Sequence, residues 1–221
     1  MSGEIRRIIS LMDGRTAVIP KGGDDPKIRI LDNNGELMFE LGENKCYDGA
    51  KLSAAELSTG NFLSWGRDLY LKLWDSTGNL IKKIDNRHFI RGVVFLESGR
   101  FVAASGNHFI IYNLEGEVLK IVEEVERNYI CRIQHLYGNF FITSDLETPP
   151  NLWDHDGERI STLTECGNLK ILKVEQHNDK LQITCSEKPF SFISFRPRQI
   201  ETKVVVYGGK LIYFSNTTLH R

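Results

Sequence analysis

Residues 69–80, Leu-Tyr-Leu-Lys-Leu-Trp-Asp-Ser-Thr-Gly-Asn-Leu, decide how this chain is read. Leu69, Leu71 and Leu73 alternate with other residues, the run ends in Trp74-Asp75, turns at Gly78 and resumes as a second alternating run. Three close relatives of this stretch lie elsewhere. Lys27-Ile-Arg-Ile-Leu-Asp32 leads through Gly35 into Glu36-Leu-Met-Phe-Glu-Leu41. His108-Phe-Ile-Ile-Tyr112-Asn113 leads through Gly116 into Glu117-Val-Leu-Lys-Ile-Val122, and Asn151-Leu-Trp153-Asp154 leads through Gly157 into Glu158-Arg-Ile-Ser-Thr-Leu163. The four glycines are 43, 38 and 41 residues apart.

Each stretch has the chemistry of a β-hairpin. Asp or Asn opens the turn by accepting hydrogen bonds from its own backbone, and Gly supplies the positive φ that ends it. The flanking runs are rich in Ile, Leu, Val, Phe and Tyr at period two, as half-buried strands are. A second hairpin precedes each one, turning at Asp13-Gly14, Thr59-Gly60, Ser98-Gly99 and Tyr137-Gly138. Four short antiparallel strands in about forty residues is the period and content of a propeller blade. The sequence therefore predicts an all-β chain, a β-propeller of five four-stranded blades forming a single domain over residues 1–221. The blades cover approximately 3–43, 44–86, 87–124, 125–165 and 166–206, with 207–221 as a closing strand.

The fifth unit keeps the rhythm and loses the signature. Strands are expected at 169–174, 181–186, 190–195 and 200–206, with Arg196-Pro-Arg198 at the turn. Residues 210–216 then seal the first blade to the last, which removes open sheet edges. The alternative is six blades, with 200–216 as half of the sixth. No helix is expected. The charged run Glu123-Glu124-Val-Glu126-Arg127 reads as a solvated loop between blades.

Leu-Lys-Leu-Trp74-Asp75 and Asn151-Leu-Trp153-Asp154 resemble the Trp-Asp ending of WD40 repeats, and Ile111-Tyr112-Asn113 and Ile30-Leu31-Asp32 are looser versions of it. The resemblance covers roughly residues 3–206. It implies a propeller that binds other proteins without catalysis. The chain departs from the family in lacking the Gly-His pair that opens its repeats, and with it the buried His-Ser/Thr-Asp-Trp network.

Composition narrows the class. A net charge of −1 over 221 residues offers no basic surface to draw nucleic acid or a membrane. The four cysteines are widely separated, which argues for reduced thiols rather than a disulfide framework or zinc site. The N-terminus lacks the apolar core of a signal peptide, so a cytoplasmic protein is expected.

Each motif that could carry chemistry also has a packing or turn reading. Trp74 and Trp153 end third strands, where aromatics wedge between sheets. Trp65 leads into Gly66-Arg67-Asp68, a pairing of aromatic and cation that protein-recognition hot spots use, although packing is the favoured use of this residue. Asp154-His-Asp-Gly157-Glu158 opens like a calcium loop, yet Leu163 stands where an EF-hand needs its final Glu. The six histidines show no metal-ligand pairing. No nucleophile elbow, P-loop or dinucleotide fingerprint occurs, so neither an enzyme nor a cofactor is expected. The inter-blade and second-to-third-strand loops share one rim, where Tyr47, Trp65, Arg67, Arg87, His88, Asn107, Arg127, Asp145 and Glu147 form the candidate partner surface, with Asp24, Asp25 and Asn128 beside them. That mixture suits another protein or peptide. Two prolines stiffen residues 145–150, which lowers the entropy lost on binding. A lectin-like carbohydrate binder is the alternative, though its sites should repeat from blade to blade and the rim residues differ. A propeller hydrolase ranks third.

Overall fold

The computed structural model describes residues 4–21, 27–42, 52–66, 69–86, 88–124, 129–136, 138–145 and 147–163, with side chains. Beyond these it gives the backbone of four strands at 169–177, 180–189, 199–207 and 210–216. The described residues form five four-stranded antiparallel sheets and no helix. Each sheet follows chain order. The first holds β1 (Ile5–Ser10), β2 (Thr16–Pro20), β3 (Ile28–Leu31) and β4 (Leu37–Leu41). The second holds β5 (Ser53–Glu56), β6 (Phe62–Trp65), β7 (Tyr70–Trp74) and β8 (Leu80–Asp85). The third holds β9 (Ile90–Leu96), β10 (Arg100–Ser105), β11 (His108–Asn113) and β12 (Val118–Glu123). The fourth holds β13 (Arg132–His135), β14 (Phe141–Ser144), β15 (Asn151–Trp153) and β16 (Arg159–Thr162).

The predicted turn chemistry is present in all four of these sheets. Asp32 Oδ1 accepts from the backbone N–H of Asn34 and Glu36, both at 2.8 Å, and Asp75 Oδ1 from those of Thr77 and Asn79, both at 2.9 Å. Asn113 accepts from Glu117 at 2.8 Å, and Asp154 from Asp156 at 3.0 Å and Glu158 at 2.9 Å. Gly35, Gly78, Gly116 and Gly157 follow at φ between 70° and 91°. The extra residue this turn needs appears as a one-residue bulge. Leu73 faces Lys82 but Trp74 faces Leu80, with the same slip at Leu31 and Trp153.

The chain divides into two compact units, residues 1–90 with 112–119, and residues 91–111 with 120–221. In the first, Ala17, Ile19, Ile28, Ile30, Leu41, Leu52, Phe62 and Trp74 form one buried cluster. In the second, Val102, Phe109, Ile111, Ile130, Phe141 and Trp153 form another, with Phe109 edge-on to both Phe141 and Trp153. Such aromatic pairs add about 1 kcal/mol each beyond the area they bury.

Two expectations change. The Trp indoles do form buried bonds to hydroxyls, although that network was expected to be missing. Trp74 Nε1 donates to Ser64 Oγ at 2.9 Å and Trp153 Nε1 to Thr143 Oγ1 at 2.8 Å, both buried. A hydroxyl ten residues before the Trp suffices, because the β6–β7 and β14–β15 pairings bring that position alongside the indole. In the fifth sheet, β17 (Leu169–His177), β18 (Lys180–Pro189), β19 (Gln199–Tyr207) and β20 (Lys210–Asn216) pair in order. The run expected as its fourth strand, 200–206, is therefore its third, with Ile200 opposite Cys185 and Tyr207 opposite Lys210. The strand expected at 190–195 lies outside the described residues.

Candidate interaction surface

Each blade presents two unlike ends: the tight Asp/Asn-to-Gly turns, and the longer loops. At the turn end the carboxylates are bonded within their own turns. Side-chain and backbone donors of Asn79, with Thr77, hold the Asp75 carboxyl far below the usual carboxylate range. The backbone N–H of Glu36 does the same, more weakly, at Asp32. Two arginines extend this end to the next sheet. Arg15 reaches Asp13 at 2.6 Å, Glu56 at 3.3 Å and the Ser76 carbonyl at 3.3 Å, and its guanidinium lies 5.2 Å from the Phe62 ring centroid. Arg100 donates to the His155 carbonyl at 3.0 Å and to Asp156 at 2.7 Å, which lowers the Asp156 pKa. The calcium-like segment is thus an ordinary turn joined to an arginine. Among the described residues no group of three or more His, Cys, Asp or Glu is placed to hold a metal ion, and no helix is long and apolar enough to cross a membrane.

The loop end holds the candidate rim. In the first unit Trp65 is 9% exposed, packed at the end of β6 opposite Leu71 and Ser53, so it presents no free aromatic face. His88 is exposed, its backbone N–H on the Asn86 carbonyl at 2.6 Å. Leu69, between these elements, takes φ 66°, a strained conformation for a branched non-glycine residue. In the second unit the Asn107 carbonyl accepts the Glu124 N–H at 2.8 Å. Asp145 accepts from the N–H groups of Glu147 and Thr148 and from the Thr148 hydroxyl, and Glu147 is exposed. Tyr47, Arg67, Arg87 and Arg127, with Asp24, Asp25 and Asn128, lie outside the described residues.

Two joints between neighbouring sheets stand out, and neither is visible as a motif. In the first unit β8 meets the turn at Gly116. A Cβ there would lie 2.6 Å from Ile84 Cδ1, Lys82 Nζ bonds the Gly116 carbonyl at 3.0 Å, and the Tyr112 hydroxyl donates to Asn86 Oδ1 at 3.1 Å. Burial pushes the Tyr112 phenol up to about 12, against the pull of its Asn86 bond. In the second unit β12 meets the turn at Gly157 in the same way. A Cβ on Gly157 would lie 2.9 Å from Ile111 and 3.0 Å from Val122, and Lys120 pairs with Glu158. Here the residue eight positions after the turn glycine is Glu124 rather than Asn86. It is 5% exposed, and Asn151 Nδ2 donates to its Oε2 at 2.6 Å. The reading of Glu124 as solvated is corrected: Glu123 ends β12, so the next residue turns inward against β15. A cleft of about 440 Å³ opens at this joint, lined along β12 by residues 120–124 and opposite by Asn151, Trp153 and residues 157–159.

No family model matches the chain. Over 92 residues it is 33% identical to "Nuclear distribution protein PAC1-1" of Uncinocarpus reesii and equally to "Nuclear distribution protein PAC1" of Gibberella zeae. These matches take in 39% of this chain and about a fifth of either relative. The WD40 β-propeller domain of Doa1 superposes with a TM-score of 0.54 at 19% identity, over 78% of this chain and 58% of that one. Raptor of Chaetomium thermophilum gives 0.61 at 19% identity, over 80% of this chain and 18% of that one. With the repeated turn, its bulge and the Trp-to-hydroxyl bond, these likenesses identify the fold: the chain has the fold of a WD40-like β-propeller.

Proposed function

We propose that this chain is a non-catalytic platform, one propeller domain that binds another protein or peptide at its loop end as a subunit of a larger complex in the cytoplasm. The observation that carries this is the contrast between its ends. The turn carboxylates of Asp32, Asp75 and Asp154 are bonded within their own turns. The loop ends differ from blade to blade and present exposed His88 and Glu147. A surface that repeats serves the scaffold, and one that varies can distinguish partners. Near-neutral charge favours a protein partner over nucleic acid or a membrane. Likeness to WD40 propellers supports the same reading by analogy of fold.

The test is quantitative affinity capture from the native lysate, comparing wild type with His88→Ala, Glu147→Ala and the turn variant Asn34→Ala. A partner retained by Asn34→Ala and weakened several-fold by the loop variants supports the reading. No enriched partner, or equal loss in all three variants, contradicts it.

A further inference from the structure

We propose that the outer strands of the first unit form a docking row for an amphipathic helix that carries lysine or arginine beside its apolar face. This is a second surface, at the turn end, and it does not rest on the loop-end reading. Asp32 and Asp75 are held within their turns, but the residues two and three positions past each turn glycine are not. These are Leu37 and Met38 on β4, Leu80 and Ile81 on β8, and Val118 and Leu119 on β12, with exposures between 38% and 54%. Leu31 faces Leu37 and Ile30 faces Phe39, so Met38 is the extra residue of its bulge, and Ile81 is its counterpart between Leu80 and Lys82. A bulge leaves such a residue out of the ladder and re-aims its side chain. The turn does not need an apolar pair here. The fourth sheet closes the same hairpin with Arg159 at the position of Leu37, Leu80 and Val118.

The three pairs adjoin. A Cβ on Gly78 would lie 2.5 Å from the Phe39 ring and one on Gly116 2.6 Å from Ile84 Cδ1, so each turn sits against the outer strand of the sheet before it. All six side chains belong to the first unit, and together they exceed the singly scattered apolar residues of an ordinary surface. Charge selects what covers them. Residues 32–38, 75–81 and 113–119 carry −2, −1 and −2, with Glu36, Glu115 and Glu117 exposed beside the pairs. The cations of β8 are engaged locally, Lys82 Nζ with the Gly116 carbonyl at 3.0 Å and Lys83 Nζ over the Tyr70 ring, 4.1 Å from its centroid. A second copy would set like charges against each other, whereas a helix with cations flanking apolar residues complements both features. The row crosses three strands instead of following one edge, which fits a helix and not an added strand.

The full chain, labelled with ¹⁵N, is titrated with a peptide of two Leu-Lys-Lys-Leu-Leu-Lys-Leu repeats. Two analogues replace every lysine by glutamate or every leucine by alanine. Expected are saturable amide shifts at 37–38, 80–81 and 118–119, with a dissociation constant on the order of 10–100 μM. Either analogue should bind at least about tenfold more weakly. Ile81→Ser and Glu36→Gln should each weaken binding about threefold to tenfold. Glu97→Gln, which removes an exposed acid of the second unit, should leave it unchanged. The proposal is overturned by the absence of saturable shifts at those residues, by either analogue binding as well as the parent peptide, or by Glu97→Gln losing as much as Glu36→Gln. Shifts there that grow with protein concentration alone assign a second copy and overturn it too. If Ile81→Ser gives no dispersed spectrum, Glu36→Gln and the analogue ratios on wild type decide.

Discussion

The joint at Gly116 and the joint at Gly157 are built to one plan and finished differently. In both, a turn glycine at positive φ presses against the preceding sheet's outer strand, and a lysine four residues after that sheet's own turn glycine reaches over it. Lys82 ends on a backbone carbonyl and Lys120 on the Glu158 carboxylate. Asn86 meets a phenol, whereas Glu124 meets an amide beside an open cleft. The repeat fixes where a side chain points and leaves its chemistry free. Packing therefore explains the positions shared by the two joints, and function should be sought where their residues diverge.

The shared part breaks most severely at the glycines. Gly116→Val adds a Cβ into Ile84 and a β-branched side chain at φ 71°, and should cost about 3 kcal/mol in urea unfolding. Gly35→Ala, with no atom within 4 Å of the new Cβ, carries only the φ penalty of about 1 kcal/mol. Equal losses would show that close approach is irrelevant at Gly116.

Next comes Tyr112→Phe. It strips the buried Asn86 Oδ1 of its phenol donor and should cost about 1–2 kcal/mol. The same variant sharpens the comparison at high pH. The folded phenol is raised from 10.0 to about 12, so its contribution is complete below pH 10 and is lost as pH climbs from 10 to about 12. Alkaline thermal scans should show that loss in wild type and not in Tyr112→Phe. A smaller effect belongs to the acid limb. The folded Asp75 carboxyl lies below its ordinary 3.8, so the turn's contribution is present above that value and fades as pH falls beneath it. Asp75→Asn should flatten the decline in melting temperature below pH 4, and an unchanged slope would remove Asp75 from the acid response.

Much of this was legible in the sequence because the turn is a local device. Asp75 to Gly78 carries its own hydrogen bonds, so four residues announce a hairpin and four hairpins announce the blades. The Trp-to-hydroxyl bond is read as absent along with the Gly-His pair, although a constant spacing of ten residues from Ser64 to Trp74 and from Thr143 to Trp153 carries it. Glu124 was not. Beside Glu123 it looks like solvated charge, and only the partner strand 27 residues later makes it a buried carboxylate. Trp65 sits at a rim position, yet the packing reading favoured for it is the one its pairing with Leu71 and its burial show. In the fifth unit the signature that sets register is missing, and strand order there came from backbone pairing alone.

The most direct test of the central claim, that recognition lies in the departures from the repeat, is hydrogen–deuterium exchange with and without the captured partner. The account predicts added protection at residues 105–107, 120–124 and 145–151, with the turns at 32–36, 75–79 and 154–158 unchanged. Protection confined to those turns, with 120–124 and 145–151 unaffected, would contradict it.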